Sequence, residues 1–127
     1  MDKNPLAFVI EDDEAQADLF FEALQKAAFE VEIIRDGKAA LARLAEAVPS
    51  IVVLDINLPF VSGVDILHNI RGDARLAMTR IIIASANPQI AIDLQEEADM
   101  VLIKPVSYFQ LRDLSARLRA SNAPGGA

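Results

Sequence analysis

The chain has 127 residues, 53% of them hydrophobic, with a mean hydropathy of +0.28 and a formal charge of −7, which fits one globular domain able to fold without staples and excludes a disordered chain. It has no cysteine, which excludes a disulfide framework and a thiolate metal site and is compatible with a reducing cytoplasm, where we expect it to reside. The apolar runs are too short to span a bilayer, the opening MDKNPLAF lacks a signal-peptide core, and no basic stripe points to direct contact with nucleic acid or a membrane.

In chain order, Ala7 to Ile10 reads as a short buried strand running into the acidic run Glu11-Asp12-Asp13-Glu14. A helix follows with Ala15, Leu19, Phe20, Ala23, Leu24 and Ala27 expected on one face. Val31 to Ile34 is a second strand, and Glu32 inside it suits a position near an edge. Asp36-Gly37 signals a turn before a helix that points Ala40, Leu41 and Leu44 inward and stops before Pro49. Ile51 to Leu54 is a doubly buried strand that ends on an acid, Asp55. Ser62 then caps a helix containing Val64, Ile66, Leu67 and Ile70. Arg80 to Ala84 is the fourth strand and ends in Ser85. Asn87-Pro88 opens a short helix through about Glu97. Met100 to Ile103 is the fifth strand, closing on Lys104-Pro105. A capping-box pattern, Ser107 to Gln110, opens the last helix, with Leu111, Leu114 and Leu118 inward. Residues 1–120 are expected to form one domain and 121–127 a tail or linker stub.

Apolar strands alternating with helices predict a single doubly wound (βα)5 domain of the α/β class: a five-stranded parallel sheet with helices on both faces. The carboxyl ends of its strands then share one edge, which gathers Glu11, Asp12, Asp13, Asp55, Ser85 and Lys104. Crowded carboxylates repel one another unless a cation joins them, and an all-oxygen donor set favours Mg²⁺. A metal, an ammonium and a hydroxyl around one carboxylate suit phosphoryl transfer, with Asp55 as the nucleophile.

The chain resembles a response-regulator receiver domain from about Leu6 to about Arg119, through IEDDE after the first strand, VLDINLPFVSG around Asp55, ASA at Ser85, LIKP at Lys104 and DGKAAL at 36–41. The resemblance implies a flavodoxin-like fold and a signalling domain that is not an ordinary enzyme. It implies that Asp55 accepts a phosphoryl group from a histidine kinase or histidine phosphotransfer protein, with Ser85 and Lys104 contacting that group. It also implies an Mg²⁺ site from Glu11, Asp12, Asp55 and the Asn57 carbonyl, leaving Asp13 as a helix-capping acid. A downstream protein would bind the face made by the fourth helix, fifth strand and fifth helix.

Two departures bear on output. Val101 stands where the family usually carries an aromatic, so an aromatic swing is not expected. The Ser85 to Lys104 segment is short, so the fourth helix is expected to be truncated and mobile or unusually placed. Phe60, beside Asp55, is either a docking contact for the kinase or tucked onto its own helix, and His68 is expected to be a surface or half-buried residue, not a ligand or phosphohistidine. The alternative reading is a pseudo-receiver, an interaction module that no longer takes phosphate. A flavin-binding protein is disfavoured because EDDE would repel its phosphate, and an aspartyl phosphatase because its nucleophile belongs on the first strand.

Overall fold

Consecutive β-branched and aliphatic residues form strands here because both sides of each are covered. The sheet of the computed structural model, which describes residues 4–121, has the order β2-β1-β3-β4-β5, with every neighbouring pair parallel. Its strands are β1 (Leu6–Ile10), β2 (Glu30–Ile34), β3 (Ile51–Asp55), β4 (Arg80–Ser85) and β5 (Met100–Ile103). The helices are α1 (Glu14–Lys26), α2 (Gly37–Glu46), α3 (Gly63–Arg71), α4 (Pro88–Leu94) and α5 (Tyr108–Ser121), with a 3-10 turn at Ala74–Leu76. The expected doubly wound sheet is the observed one. The order reverses between β1 and β3, and that switch point opens the crevice where such sheets hold their functional groups.

Side chains alternate across the sheet, so each inner strand feeds two cores. Ala7, Val9, Ile51, Val53, Ile82 and Ala84 pack with α1 and α5 on one face. Phe8, Ile10, Val52, Leu54, Ile81 and Ile83 pack with α2, α3 and α4 on the other. Complete burial of each of these valine, leucine, isoleucine and phenylalanine side chains stabilises by about 1.5–3 kcal/mol, so the central strands are the most firmly held part of the chain. β2 lies at an edge and is only partly buried, in keeping with its Glu32, which meets Arg43 of α2 at 2.6 Å.

Two expectations shift. Ala15 is exposed and Ala17 is buried instead. The fourth helix is shorter still than expected, ending at Leu94 rather than near Glu97. α5 runs to Ser121, and the rest of the expected tail, from residue 122, lies outside the described residues.

Candidate functional site

Asp55 is the last residue of β3 and is 3% exposed, so its carboxylate has few waters to hold it. It is held instead by Lys104 Nζ, 3.1 Å from Oδ1, and by the Asn57 N–H, 3.2 Å from the same oxygen. The loop after it is fixed by a close approach. Gly63 opens α3 directly against the Asp55 carbonyl, and a Cβ there would meet that oxygen at 2.4 Å and Ile56 Cα at 2.6 Å. The Gly63 N–H donates to the Ile56 carbonyl, which closes the loop.

Glu11 and Asp12 reach the same place from β1. The Glu11 side chain is buried, with Oε1 3.3 Å from Lys104 Nζ and Oε2 accepting from the Asp13 N–H. Asp13 turns away, capping α1 by accepting the Gln16 N–H at 2.9 Å. One carboxylate oxygen each from Glu11, Asp12 and Asp55 can gather within 4.8 Å, with Asp12 exposed and the other two buried. Three hard oxygen donors at that spacing suit a divalent cation such as Mg²⁺, with the exposed Asp12 leaving room for its waters.

Charge is unevenly shared across the cluster. Burial, followed by the hydrogen bond and charge of Asp55, pushes the Glu11 carboxyl up to about 7 from an ordinary 4.5, against the pull of Lys104 and the Asp13 N–H. Burial alone would lower the Lys104 ammonium, but its hydrogen bond to Asp55 and the charges of Asp55 and Glu11 hold it above its ordinary value. Lys104 therefore stays charged and acts as the counter-ion of the pair.

Ser85 ends β4, one residue past the partner of Asp55 in the ladder. Its Oγ accepts the Asn87 N–H at 3.0 Å, and its carbonyl accepts the Lys104 N–H at 2.8 Å. The sheet edge thus brings Glu11, Asp12, Asp55, Ser85 and Lys104 together, with Asn57 in the loop beside them. Phe60 lies in the same loop, 87% exposed at φ 71°, and is not tucked onto α3. His68 is exposed and sits 3.3 Å from Glu97.

Sequence reasoning missed a second polar cluster at the opposite end of the strands. Arg71 Nε donates to the Glu97 carbonyl at 2.7 Å, and its terminal nitrogens donate to the Thr79 carbonyl and the Asp99 carboxylate, each at 3.0 Å. Asp99 also accepts from Arg80 at 3.1 Å and from the Ile81 N–H at 2.7 Å. Its partners lie 18 or more positions away, and no local pattern marks it.

The family model described as response regulator receiver domain matches residues 7–117. Over 120 residues the chain is 37% identical to the sensory transduction protein RegX3 of Mycobacterium tuberculosis, covering 93% of this chain and 51% of that protein. Over 112 residues it is 30% identical to the DNA-binding response regulator MtrA of Mycobacterium leprae, covering 88% and 48%. The chain spans about half the length of these relatives. Among solved structures, the chemotaxis response regulator CheY4 of Vibrio cholerae superposes with a TM-score of 0.81 over 91% of this chain and 99% of that one. The identity there is 23%, a likeness of fold. A family match running from β1 into α5 makes the chain a member of the response regulator receiver domain family of two-component signalling.

Proposed function

We propose that the chain is a working phosphoacceptor switch in which Asp55 takes the phosphoryl group of a phosphohistidine on a histidine kinase or phosphotransfer protein. The observation that carries this reading is the pairing of buried Asp55 with Lys104 at 3.1 Å, inside a cluster that also holds Glu11 and Asp12. An Asp55 carboxylate oxygen attacks phosphorus in line, the P–N bond to the donor imidazole breaks, and the imidazole leaves with the bonding pair. Lys104, already charged at that carboxylate, stabilises the oxygens as negative charge develops on them. Ser85 Oγ, freed from Asn87, donates to one of them. Glu11, Asp12, Asp55 and the Asn57 carbonyl would hold Mg²⁺, which would supply charge neutralisation there when bound. We place this switch in the cytoplasm.

Output in this reading is protein contact through α4, β5 and α5, where Ile92, Ile103 and Phe109 are all exposed. MtrA is named as DNA-binding over about twice the length matched here, and direct DNA contact is no part of the proposal for this chain. The test is intact mass after incubation with Mg²⁺ and acetyl phosphate. A gain of one phosphate in the wild type and none in Asp55→Asn supports the switch. No gain, together with no binding of beryllofluoride, would leave an interaction module that works without phosphate.

A further inference from the structure

α4 is held unequally at its two ends. At its amino end Pro88 and Gln89 are exposed, and the turn rests on Asn87, whose N–H is given to Ser85 Oγ. The Asn87 side chain caps the first turn through the Gln89 N–H at 2.9 Å. At the carboxyl end Leu94 is the one buried residue of the helix, and the turn after it is tied to α3 and β4. Arg71 makes the tie to α3, one guanidinium bonding the Glu97 carbonyl, the Thr79 carbonyl and Asp99, while β4 holds Asp99 through the Ile81 backbone and Arg80. A planar fork bound to three groups, two in the α4–β5 turn and one just before β4, has little freedom left to lose and resists displacement. Beside the helix, towards β5, lies a cavity of about 290 Å³ bounded by Ala91, Ile92, Gln95, Asp99, Met100 and Val101.

We infer that Arg71 makes the carboxyl end of α4 a fixed pivot, about which the Asn87 end swings when Ser85 changes partner. The proposal rests on the reading that Ser85 turns to a phosphoryl group on Asp55. That turn takes away the acceptor of the Asn87 N–H, so the amino end of the helix loses its tie to β4 while the pivot keeps its own. The cavity on the β5 side, lined in part by Val101, gives a seven-residue helix space to tilt into, with Ile90 the partly buried side chain that shifts as it does. Arg71 is thus a positioning residue at the far end of the strands from Asp55, and it confines the change to one end of α4.

Amide hydrogen exchange on the full chain tests this, first with no phosphoryl group present. Arg71→Lys keeps the charge but loses the fork, and it should speed exchange at 95–100 by about ten-fold or more while 51–55 stays unchanged. Arg71→Gln should do the same, and if it fails to fold, Arg71→Lys carries the comparison. Ser85→Ala should speed exchange at 86–91 alone. Wild-type exchange at 95–100 in Arg71→Lys, or equal loosening of both ends in Ser85→Ala, overturns the pivot. With Mg²⁺ and beryllofluoride the wild type should change at 86–91 and not at 95–100, and an equal change at both overturns it too. A wild type that neither binds beryllofluoride nor gains phosphate mass would sink the proposed function, while the unliganded comparison still decides the pivot.

Discussion

Lys104 Nζ stands 3.1 Å from Asp55 Oδ1, so the group proposed to steady the transferred phosphate already occupies the charge field that a divalent cation would enter. The ammonium and the cation therefore compete for the same carboxylates. Lys104→Met should tighten Mg²⁺ binding by about 3–10-fold, since one nearby positive charge is gone. It should slow acetyl-phosphate loading on the order of 100-fold, the cost of losing a preorganised cation at the reacting oxygens. Calorimetric Mg²⁺ titration and time-resolved intact mass read the two effects separately. A variant that loads at the wild-type rate would remove Lys104 from the reaction.

The phosphoacceptor loop depends on the missing side chain of Gly63. A methyl group there would meet the Asp55 carbonyl at 2.4 Å and the Ile56 backbone at 2.6 Å, so α3 or the end of β3 has to move. Gly63→Ala should destabilise by about 1–3 kcal/mol, as forced overpacking does, and should also slow loading because Asp55 is displaced. Denaturant unfolding and intact mass check it. A loss of stability with unchanged loading would mean that α3 yields and the Asp55 loop does not.

Among the described residues two that are not glycine, Ala28 and Phe60, have left-handed backbones, and they differ in what relief would do. Ala28, at φ 70°, follows the end of α1, where the Phe29 N–H reaches the Leu24 carbonyl and the Ala28 N–H reaches that of Gln25. That is the hydrogen-bond pattern in which glycine is favoured, so Ala28→Gly should stabilise by about 0.5–1 kcal/mol. Phe60→Gly should gain a similar amount, about 0.5–1 kcal/mol, because its exposed ring contributes little burial to lose. Loading from acetyl phosphate should not change in either variant. Urea midpoints measure the gain, and a destabilised Phe60→Gly would show that the ring packs against the loop after all.

The sheet was legible because doubly buried strands are near-continuous aliphatic runs, and the acids, serine and lysine that end them are the polar residues interrupting those runs. The inward face of α1 was legible only through its large residues. Ala15 lies five residues before Phe20, about 140° around the helix from it, whereas Ala17 lies about 60° away; alanine is too small to mark a stripe by itself. The early end of α4 was hidden for another reason. What holds residues 95–99 is Arg71 together with Arg80 and Ile81, all 18 or more positions from the groups they bind, and contacts of that range leave no local periodicity. The exposure of Phe60 follows from the backbone turn that closes on Gly63, which a reading of residue types could not decide between a tucked ring and a free one.

The Asp99 cluster gives the chain a pH dependence of definite sign. Burial would raise this carboxyl, but the Ile81 N–H and the Arg80 and Arg71 guanidiniums outweigh it and hold the group below its ordinary 3.8. The folded state thus binds this proton less readily than the unfolded chain. The stabilisation is fully present above about 3.8 and is lost as pH falls from there through the folded value. Asp99→Asn should cost about 1–3 kcal/mol at pH 6, where charge-assisted hydrogen bonds give way to neutral ones around arginines that remain charged. In urea unfolding, the gap between wild type and variant should hold from pH 6 to pH 5 and narrow steadily below about 3.8. A gap that stays constant down to pH 3 would mean that shape and hydrogen bonding, not the charge of Asp99, hold the turn after α4 in place.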